Sequence, residues 1–268
     1  MHPEIARMFD LGGKVALVTG GAVNLGLDAA SVLAAAGCAV AITSRDRDRA
    51  CRSAAELHDR YGAATLALEL DHTDPAAVTA AATRVDEWRG HLDILVNNAG
   101  GGSGARPGNL FERTPDDTVA MIETNLTGVI HCCREFGRRM AERGSGRIVN
   151  IASMAGMLGR DRRMYARSAM NGQPVEYAAA KAGVIGLTRD LAGLLSPHGV
   201  CVNAISPGGF ERGQPSQFIR DYSDRTPLGR MGRDGIDLKG AILFLCSPAS
   251  DYVTGHNLVV DGGFSIWH

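Results

Sequence analysis

Short, nearly all-apolar runs alternate along the chain with amphipathic helical patterns. The runs are KVALVT (14–19), CAVAITS (38–44), TLALEL (65–70), LDILVNN (92–98), GRIVNIAS (146–153), VCVNAIS (200–206) and NLVVDGG (257–263). Runs without polar alternation are typical of parallel strands buried on both faces. Repeated strand–helix alternation therefore predicts an α/β fold, a single doubly wound parallel sheet of the Rossmann type with helices on both faces.

The length of 268 residues suits one domain with a substantial core. No linker or low-complexity run interrupts the pattern, so we expect a single domain over 1–268. The longest segment without clear periodicity is about 154–173. It contains Tyr165 and ends shortly before Tyr177.

Charge and cysteine usage narrow the function classes. The net charge is −1, from 28 basic and 29 acidic residues, which argues against a nucleic-acid partner. No apolar run reaches membrane-spanning length, and the first residues lack a signal-peptide pattern. The six cysteines show no C-x-x-C spacing, so we expect reduced core thiols, no metal site and a cytoplasmic location. A metal or redox role for the adjacent Cys132 and Cys133 is the alternative.

A glycine-rich turn follows the first predicted strand, in VALVTGGAVNLGLDAASVLAAAG (15–37). Such a turn lets backbone N–H groups and the positive end of a helix face a pyrophosphate. Gly26 would allow the helix to pack close to the strand. The alternative is an ordinary turn at the sheet edge, but the position after the first strand favours a nucleotide site.

Further motifs occur in a fixed order along the chain. They are TGGAVNLG (19–26), NNAG (97–100), Asn125 in ETNLTGV, Ser153 in NIAS, YAAAK (177–181), SPGG (206–209) and YVTGHNLVVDGG (252–263). Together they resemble the short-chain dehydrogenase/reductase family, from about 11 to 264. The resemblance implies one dinucleotide-binding and catalytic domain that transfers a hydride between a nicotinamide and a carbonyl or secondary alcohol.

Two tyrosines compete for the catalytic position. Lys181 lies four residues after Tyr177, on the same helix face. A neighbouring ammonium favours phenolate and would lower the pKa of Tyr177 from about 10. Tyr165 has only Ala169 at the same spacing, so we expect it in a pocket wall or in packing. Taken alone, YAAAK also fits an ordinary amphipathic helix.

The resemblance assigns roles to the catalytic set. Tyr177 would give or take the proton, and Ser153 would donate a hydrogen bond to the reacting oxygen. Lys181 would tune Tyr177 and hold the nicotinamide ribose. Asn125 would hold a water in a relay to Lys181, or else simply bond a neighbouring backbone group.

The cofactor would contact residues from several strand ends. The expected set is Gly20, Asn24, Leu25, Gly26, Ser44, Arg45, Asp71, His72, Asn98, Ala99, Gly100, Tyr177, Lys181, Pro207, Gly208 and Phe210. Ser44 stands where an acidic residue would select NAD, and Arg45 follows it. This favours NADP. The alternative is NAD. In that case Arg45, Arg47 and Arg49 lie in the solvated first turn of a helix, where Asp46 and Asp48 reduce the local positive charge.

Three departures from the family pattern affect these expectations. Asn24 replaces the middle glycine of the turn, and asparagine tolerates positive φ. No threonine follows SPGG to hold the carboxamide. The separation of Ser153 and Tyr177 is longer than the family commonly has. The extra segment is polar, with Arg160, Arg162, Arg163, Arg167, Asn171 and Gln173. We expect it to have few apolar anchors and to border the substrate pocket, closing when substrate binds; a solvated surface loop is the alternative.

Less specific features resemble gluconate 5-dehydrogenase-like members: RTPLGRMG (225–232), the insertion, and the ending VDGGFSIW. They suggest a sugar acid, polyol or related small polar substrate. The alternatives are a reductase of another ketone class such as 3-oxoacyl thioesters, a silent nucleotide-binding regulator, or a sugar-nucleotide epimerase or dehydratase. The resemblance also implies a homotetramer built on helices at about 115–142 and 175–195.

Overall fold

The computed structural model describes residues 2–102 and 106–267. Its main feature is a seven-stranded parallel sheet. Its strands are β1 (Val15–Val18), β2 (Ala39–Ser44), β3 (Thr65–Glu69), β4 (Ile94–Asn97), β5 (Gly146–Ile151), β6 (Val200–Pro207) and β9 (Asn257–Val260). Two further short strands, β7 (Phe210–Glu211) and β8 (Gly232–Arg233), lie outside this sheet. The sheet order is β3-β2-β1-β4-β5-β6-β9, and β7 pairs with β8 separately. The predicted doubly wound sheet is confirmed.

Helices connect the strands. They are α1 (Pro3–Phe9), α2 (Asn24–Ala35), α3 (Arg47–Tyr61), α4 (Pro75–Arg89), α5 (Pro115–Ile122), α6 (Gly128–Arg143), α7 (Arg162–Arg167), α8 (Val175–Leu195), α9 (Ser216–Ser223) and α10 (Lys239–Cys246). A π turn, Glu123–Thr127, joins α5 to α6 without a break. No helix in the described part of the chain is both long and apolar enough to cross a membrane.

Two helix layers cover the sheet because alternate strand residues point to opposite faces. Leu17 packs with Phe136 on the face covered by α4, α6 and α8. Val18 packs with Leu33 on the face covered by α2, α3 and α10. All four side chains are buried. The strand order reverses direction between β1 and β4, so the connections on either side of this point run to opposite faces of the sheet. This leaves a crevice at the carboxyl ends of the two strands.

The two edge strands differ from the sequence expectation. We expected every strand to be buried on both faces, but most residues of β3 and all of β9 are only partly buried. Each has a strand neighbour on one side only. The all-apolar pattern therefore identified the strands correctly but did not locate the sheet edges.

The segment between Ser153 and Tyr177 carries structure of its own. It begins with a 3₁₀ turn at Met154–Gly156 and contains the short helix α7. Met164 of α7 is 3% exposed and packs with Phe218 and Tyr222 of α9. Arg167 and Asp221 tie α7 to α9 at 2.9 Å. The expectation of few apolar anchors is wrong, because methionines and aromatic rings that are distant in sequence meet here.

Candidate active site

A cavity of about 990 Å³ lies at the carboxyl ends of the strands. One end is formed by the glycine turn after β1 and the tips of β2 and β3. The other end is formed by Ser153, Tyr177, the insertion and α9. All the residues expected around a nucleotide, except Gly26, line this cavity. Gly26 lies directly behind its wall, against Gly20.

The glycine turn is held by side chains at the end of β4. The Thr19 hydroxyl accepts hydrogen bonds from the backbone N–H groups of Asn98 and Ala99, both at 3.0 Å. The Asn98 amide donates to the carbonyls of Thr19 and Gly20 at 3.0 and 3.1 Å. These bonds fix the turn without using the first N–H groups of α2.

Helix α2 starts against this turn with no side-chain cap at Val23. Its first N–H groups are therefore available to an anion. A Cβ on Gly26 would lie 2.2 Å from the Gly20 carbonyl oxygen, so only glycine allows this approach. Asn24 has a φ of 51°, as its tolerance of positive φ predicted. The turn fits a pyrophosphate.

The tips of β2 and β3 form the far end of the cavity. The Ser44 hydroxyl accepts a bond from the Asp46 N–H at 3.1 Å. Arg45 and Arg49 line the cavity beside it, and Arg49 also pairs with Asp46 at 3.4 Å. Two cations and one carboxylate therefore surround the place where an adenosine ribose would lie.

Asp71 and His72 follow β3. The backbone N–H and the hydroxyl of Thr73 bond the Asp71 carboxylate and lower its pKa. Burial lowers the pKa of His72, which favours the neutral ring. His72 Nε2 lies 2.8 Å from the Thr124 carbonyl oxygen, so Nε2 carries the hydrogen. His72 thus ties the β3 tip to the π turn.

The π turn places Asn125 beside the cavity. Its Oδ1 accepts from the Gly101 N–H at 3.0 Å, and its Nδ2 donates to the carbonyls of Gly101 and Met121 at 3.0 and 3.1 Å. Both amide hydrogens are therefore used to hold the segment after β4. The bonding to neighbouring backbone that we considered as an alternative is present. A water relay would have to use Oδ1 or the peptide groups of this turn.

Ser153, Tyr177 and Lys181 meet at the near end of the cavity. Ser153 directly follows β5, whereas Tyr177 and Lys181 are one turn apart on α8. Lys181 Nζ donates to the Ile151 carbonyl at 2.8 Å and lies 5.8 Å from the centre of the Tyr177 ring. Lys181 is 4% exposed. The sheet end and the helix thus bring together the three groups that the sequence predicted.

The effect of Lys181 on Tyr177 differs from our expectation. Burial raises the pKa of Tyr177, and the Ser153 hydroxyl and the Arg160 charge only partly oppose this. Burial also lowers the pKa of Lys181 from 10.5 to about 8. The expected lowering of the pKa of Tyr177 by the ammonium is therefore wrong for this structure, because removal of the phenolate from water is the larger effect.

Tyr165 occupies the wall of the same cavity. Its ring lies 5.0 Å from that of Phe218, centre to centre. Tyr165 is on α7 and has no lysine one turn away. Its position agrees with the wall and packing interpretation.

The turn after β6 completes the cavity. Pro207, Gly208 and Phe210 line it, as the sequence predicted. The Gly209 N–H donates to the Tyr222 hydroxyl oxygen at 2.6 Å, and that hydroxyl donates to Met154 Sδ at 3.3 Å. Tyr222 therefore joins this turn to the insertion.

A sequence model described as enoyl-(acyl carrier protein) reductase matches residues 20–265. The chain belongs to the short-chain dehydrogenase/reductase family. It is 37% identical to a galactitol 2-dehydrogenase (L-tagatose-forming) of Cereibacter sphaeroides, covering 98% of this chain and 100% of that protein. It is 34% identical to a 3-oxoacyl-[acyl-carrier-protein] reductase of Aquifex aeolicus, covering 94% and 98%.

A solved gluconate 5-dehydrogenase from Burkholderia cenocepacia, in complex with NADP and tartrate, is 34% identical with a TM-score of 0.88. The alignment covers 98% of this chain and 100% of that one. This chain is therefore a short-chain oxidoreductase by family, and its relatives act on different substrates.

Sequence reasoning missed most of the cavity end around Ser153 and Tyr177 in this short-chain oxidoreductase. The cavity wall there is formed by methionines and aromatic rings, namely Met154, Met164, Met170, Phe218, Tyr222, Met231 and Phe264. The polar composition of the insertion concealed the methionines, and α9 carried no recognised motif. The apolar side of α9, with Phe218 and Tyr222 four residues apart, was the one available signal.

A buried ion pair beside Tyr177 was also missed. Arg113 Nε donates to Glu176 Oε1 at 2.9 Å, and the Thr118 hydroxyl donates to the same oxygen at 2.8 Å. The Arg113 side chain is 1% exposed. Its other nitrogens donate to the carbonyls of Pro107 and Asp117 at 2.8 Å. The pair fixes the start of α8, and thus Tyr177, against the segment that leads into α5.

Proposed function

We propose that this protein is an NADP-preferring dehydrogenase/reductase that acts on a carbonyl or secondary alcohol of a sugar acid, polyol or related small polar substrate. The observation that carries the proposal is the convergence of Ser153, Tyr177 and Lys181 on one end of a cavity whose other end is the glycine turn. A carbonyl held between the two ends would face both a hydride partner and a proton donor.

A bound nicotinamide supplies or accepts the hydride. In reduction the Tyr177 hydroxyl gives its proton to the carbonyl oxygen; in oxidation the Tyr177 phenolate takes the alcohol proton. Ser153 donates a hydrogen bond to that oxygen as negative charge develops. Lys181 is held by the Ile151 carbonyl at 2.8 Å, one helical turn from Tyr177, where its ammonium can donate to a ribose hydroxyl of the nicotinamide nucleotide.

The cofactor preference rests on the tip of β2. Arg45 and Arg49 line the cavity, and Ser44 replaces the acidic residue that would repel a 2′-phosphate. Asp46 weakens this field because it pairs with Arg49. Arg45 has no ion-pair partner among the described residues, so its charge remains available to the 2′-phosphate of NADP.

The substrate proposal rests on the polar part of the cavity wall. Arg160, Asn171 and Gln173 of the insertion line the cavity together with Ser153 and Tyr177. Hydroxyl-rich substrates need such donors and acceptors. The galactitol 2-dehydrogenase and gluconate 5-dehydrogenase among the relatives are named for substrates of this kind.

A second candidate is reduction of a different ketone class, such as a 3-oxoacyl thioester. The observation that favours it is the apolar wall around Met164, Phe218 and Met231, all 5% exposed or less. An acyl chain could lie against these side chains. The 3-oxoacyl-[acyl-carrier-protein] reductase among the relatives makes this the comparison to test.

We also propose a homotetramer. Helices α5, α6 and α8 carry outward apolar side chains, including Val119, Ile130 and Leu194, which is 63% exposed. Symmetric assemblies bury such faces against a second copy. Light scattering at micromolar concentration should give about four times the monomer mass, and a monomer would contradict the proposal.

One screen tests the proposed function. Purified protein is assayed with NADP and NAD against sugar acids, polyols, small ketones and a 3-oxoacyl thioester. We expect turnover of a sugar acid or polyol with NADP preferred. Preferred turnover of the thioester would select the second candidate. Cofactor binding without turnover of any substrate would indicate a silent nucleotide-binding regulator.

A further inference from the structure

The insertion contains four arginines, and two of them are already paired at the surface. Arg163 donates to both carboxylate oxygens of Asp161 at 2.9 Å, and its side chain is 78% exposed. Arg167 Nε donates to Asp221 on α9 at 2.9 Å. Both guanidiniums therefore already have a carboxylate partner, although Asp161 is shared with Arg225 at 2.6 Å.

The other two arginines differ in position. Arg162 is exposed and does not line the cavity. Arg160 lines the cavity, and its Nη2 donates to the Pro174 carbonyl at 2.9 Å. Arg160 Nη1 is closed off from solvent and makes no well-aligned hydrogen bond within residues 2–102 and 106–267, although the Tyr165 hydroxyl lies near the guanidinium. An unpaired buried donor on a charged group is costly, which an acceptor arriving from the cavity would offset.

Arg160 is close to the reacting position. Its Cζ lies 6.0 Å from the centre of the Tyr177 ring. The bond to Pro174 fixes the guanidinium just before the first turn of α8, which carries Tyr177. An anion on Nη1 would therefore lie within a few carbon atoms of the carbon that reacts at Tyr177.

Gln173, at the other end of the insertion, also has an unpaired atom. Its Oε1 is buried without a donor in the described part of the chain. The Gln173 amide lies over the backbone after β4, since a Cβ on Gly102 would be 2.2 Å from Oε1. Gly172 packs equally closely against Gly108: a Cβ on Gly108 would lie 2.1 Å from the Gly172 carbonyl oxygen. The insertion thus brings one unpaired donor and one unpaired acceptor to the same cavity wall.

We propose that Arg160 binds a carboxylate of the substrate, with Gln173 accepting a bond from a neighbouring hydroxyl, so that the preferred substrates are hydroxy acids or oxo acids. This rests on the proposed function and names the residue that selects the substrate class. The unpaired Nη1 can donate a charge-assisted hydrogen bond to a carboxylate oxygen. Arg212, which also lines the cavity, is occupied by Asp234 at 2.6 Å.

The test compares a matched pair of substrates, D-gluconate and D-glucitol, which differ at C1 only in carboxylate against hydroxymethyl. We expect Arg160→Gln to lower kcat/KM for the acid by about 10- to 100-fold, the range for a hydrogen bond to a charged group. The polyol should lose much less than the acid, because it carries no carboxylate for Arg160. Any loss that acts through the pKa of Tyr177 is shared by both substrates and cancels in the acid-to-polyol ratio of kcat/KM. Retained polyol turnover shows that the variant is folded. For Arg160→Lys, kcat/KM for the acid should fall between the values of the wild type and of Arg160→Gln.

Arg163→Gln is the matched control, because Arg163 is in the same segment but paired with Asp161 and exposed. It should leave the acid-to-polyol ratio of kcat/KM unchanged. An unchanged ratio in Arg160→Gln would overturn the proposal, as would a wild-type protein that turns over polyols but no acid.

Calorimetric measurement of D-gluconate binding to the NADP-loaded protein tests the carboxylate site at Arg160 separately from the proposed dehydrogenase/reductase function. If no alcohol or carbonyl is turned over, the proposed function fails. Binding of D-gluconate that is lost in Arg160→Gln but kept in Arg163→Gln would still support the carboxylate site. Equal binding by both variants, or no binding to the wild type, would overturn it.

Discussion

The two ends of the cavity are built in different ways. At the cofactor end, backbone groups of one short turn are pinned by Thr19 and Asn98, and Gly26 leaves room for helix α2. At the substrate end, side chains meet from the insertion, α9, the β6 turn and the C-terminal segment. The cofactor end is thus local and depends on main-chain geometry, whereas the substrate end depends on packing between distant segments. Substitutions at the cofactor end should therefore affect turnover of every substrate. Substitutions at the substrate end should affect which substrate is preferred.

The largest expected effect is at Tyr177, where the two ends meet. Tyr177→Phe removes the proton donor, so turnover should fall by at least about 100-fold while cofactor affinity is nearly unchanged. Tyr165→Phe is the matched control, because its ring lies in the wall beside Phe218. Steady-state rates and NADPH fluorescence titration measure both. Similar losses of turnover in the two variants would disprove the choice of Tyr177.

Gly26→Ala tests the cofactor end alone. Its Cβ would lie 2.2 Å from the Gly20 carbonyl oxygen and 2.4 Å from Asn98 Nδ2. Overpacking of about 1–3 kcal/mol should weaken cofactor affinity by about 10- to 100-fold. Gly240→Ala is the control, since nothing lies within 4 Å of that Cβ. Cofactor affinity within twofold of wild type in Gly26→Ala would show that the turn is not held as described.

Lys181 links the cavity to stability through pH. Burial lowers its pKa from 10.5 to about 8, so between these values the unfolded chain binds more protons than the native protein. Native stability should therefore rise with pH in that window, and it carries the full cost of the buried ammonium below about pH 8. The free energy of unfolding of wild type relative to Lys181→Met should increase by about 2 kcal/mol from pH 7 to pH 9.5.

Urea unfolding at each pH measures this difference. A constant difference between wild type and Lys181→Met across the window would mean that Lys181 keeps its ordinary pKa in the native protein.

The smallest expected effect is at the far end of the cofactor site. Arg45→Ala should weaken NADP by about tenfold, the size of one lost charge-assisted bond, and NAD by much less. Arg52→Ala, exposed on α3 and outside the cavity, should affect neither. Equal losses for NADP and NAD would indicate that Arg45 does not reach the 2′-phosphate, and wild-type preference for NAD would contradict the cofactor proposal.

Much of the fold and of the cofactor end could be predicted from sequence. The apolar runs identified all strands of the main sheet, because strands buried between helices are mostly apolar. The residues of the glycine turn are adjacent in sequence, so their geometry follows from local rules. The positive φ of Asn24 is one example. The two-residue strands β7 and β8 were missed because they are too short to show a period.

The substrate end and the protonation states could not be predicted in this way. Whether Met164 is an anchor or a surface residue depends on α9, which lies about fifty residues later in the chain. The order of the pKa effects at Tyr177 also depends on burial, which spacing to Lys181 does not reveal.

The sequence by itself determined the sheet, the glycine turn and the identity of Tyr177 and Lys181 as a pair, because each is encoded within one or two helical turns or strands. Only the tertiary structure decided which arginine of the insertion faces the cavity. Arg163 and Arg167 pair with Asp161 and Asp221, while Arg160 is held by Pro174 and has one buried nitrogen without a hydrogen bond among the described residues. The four side chains are chemically identical, and only their folded neighbours distinguish them.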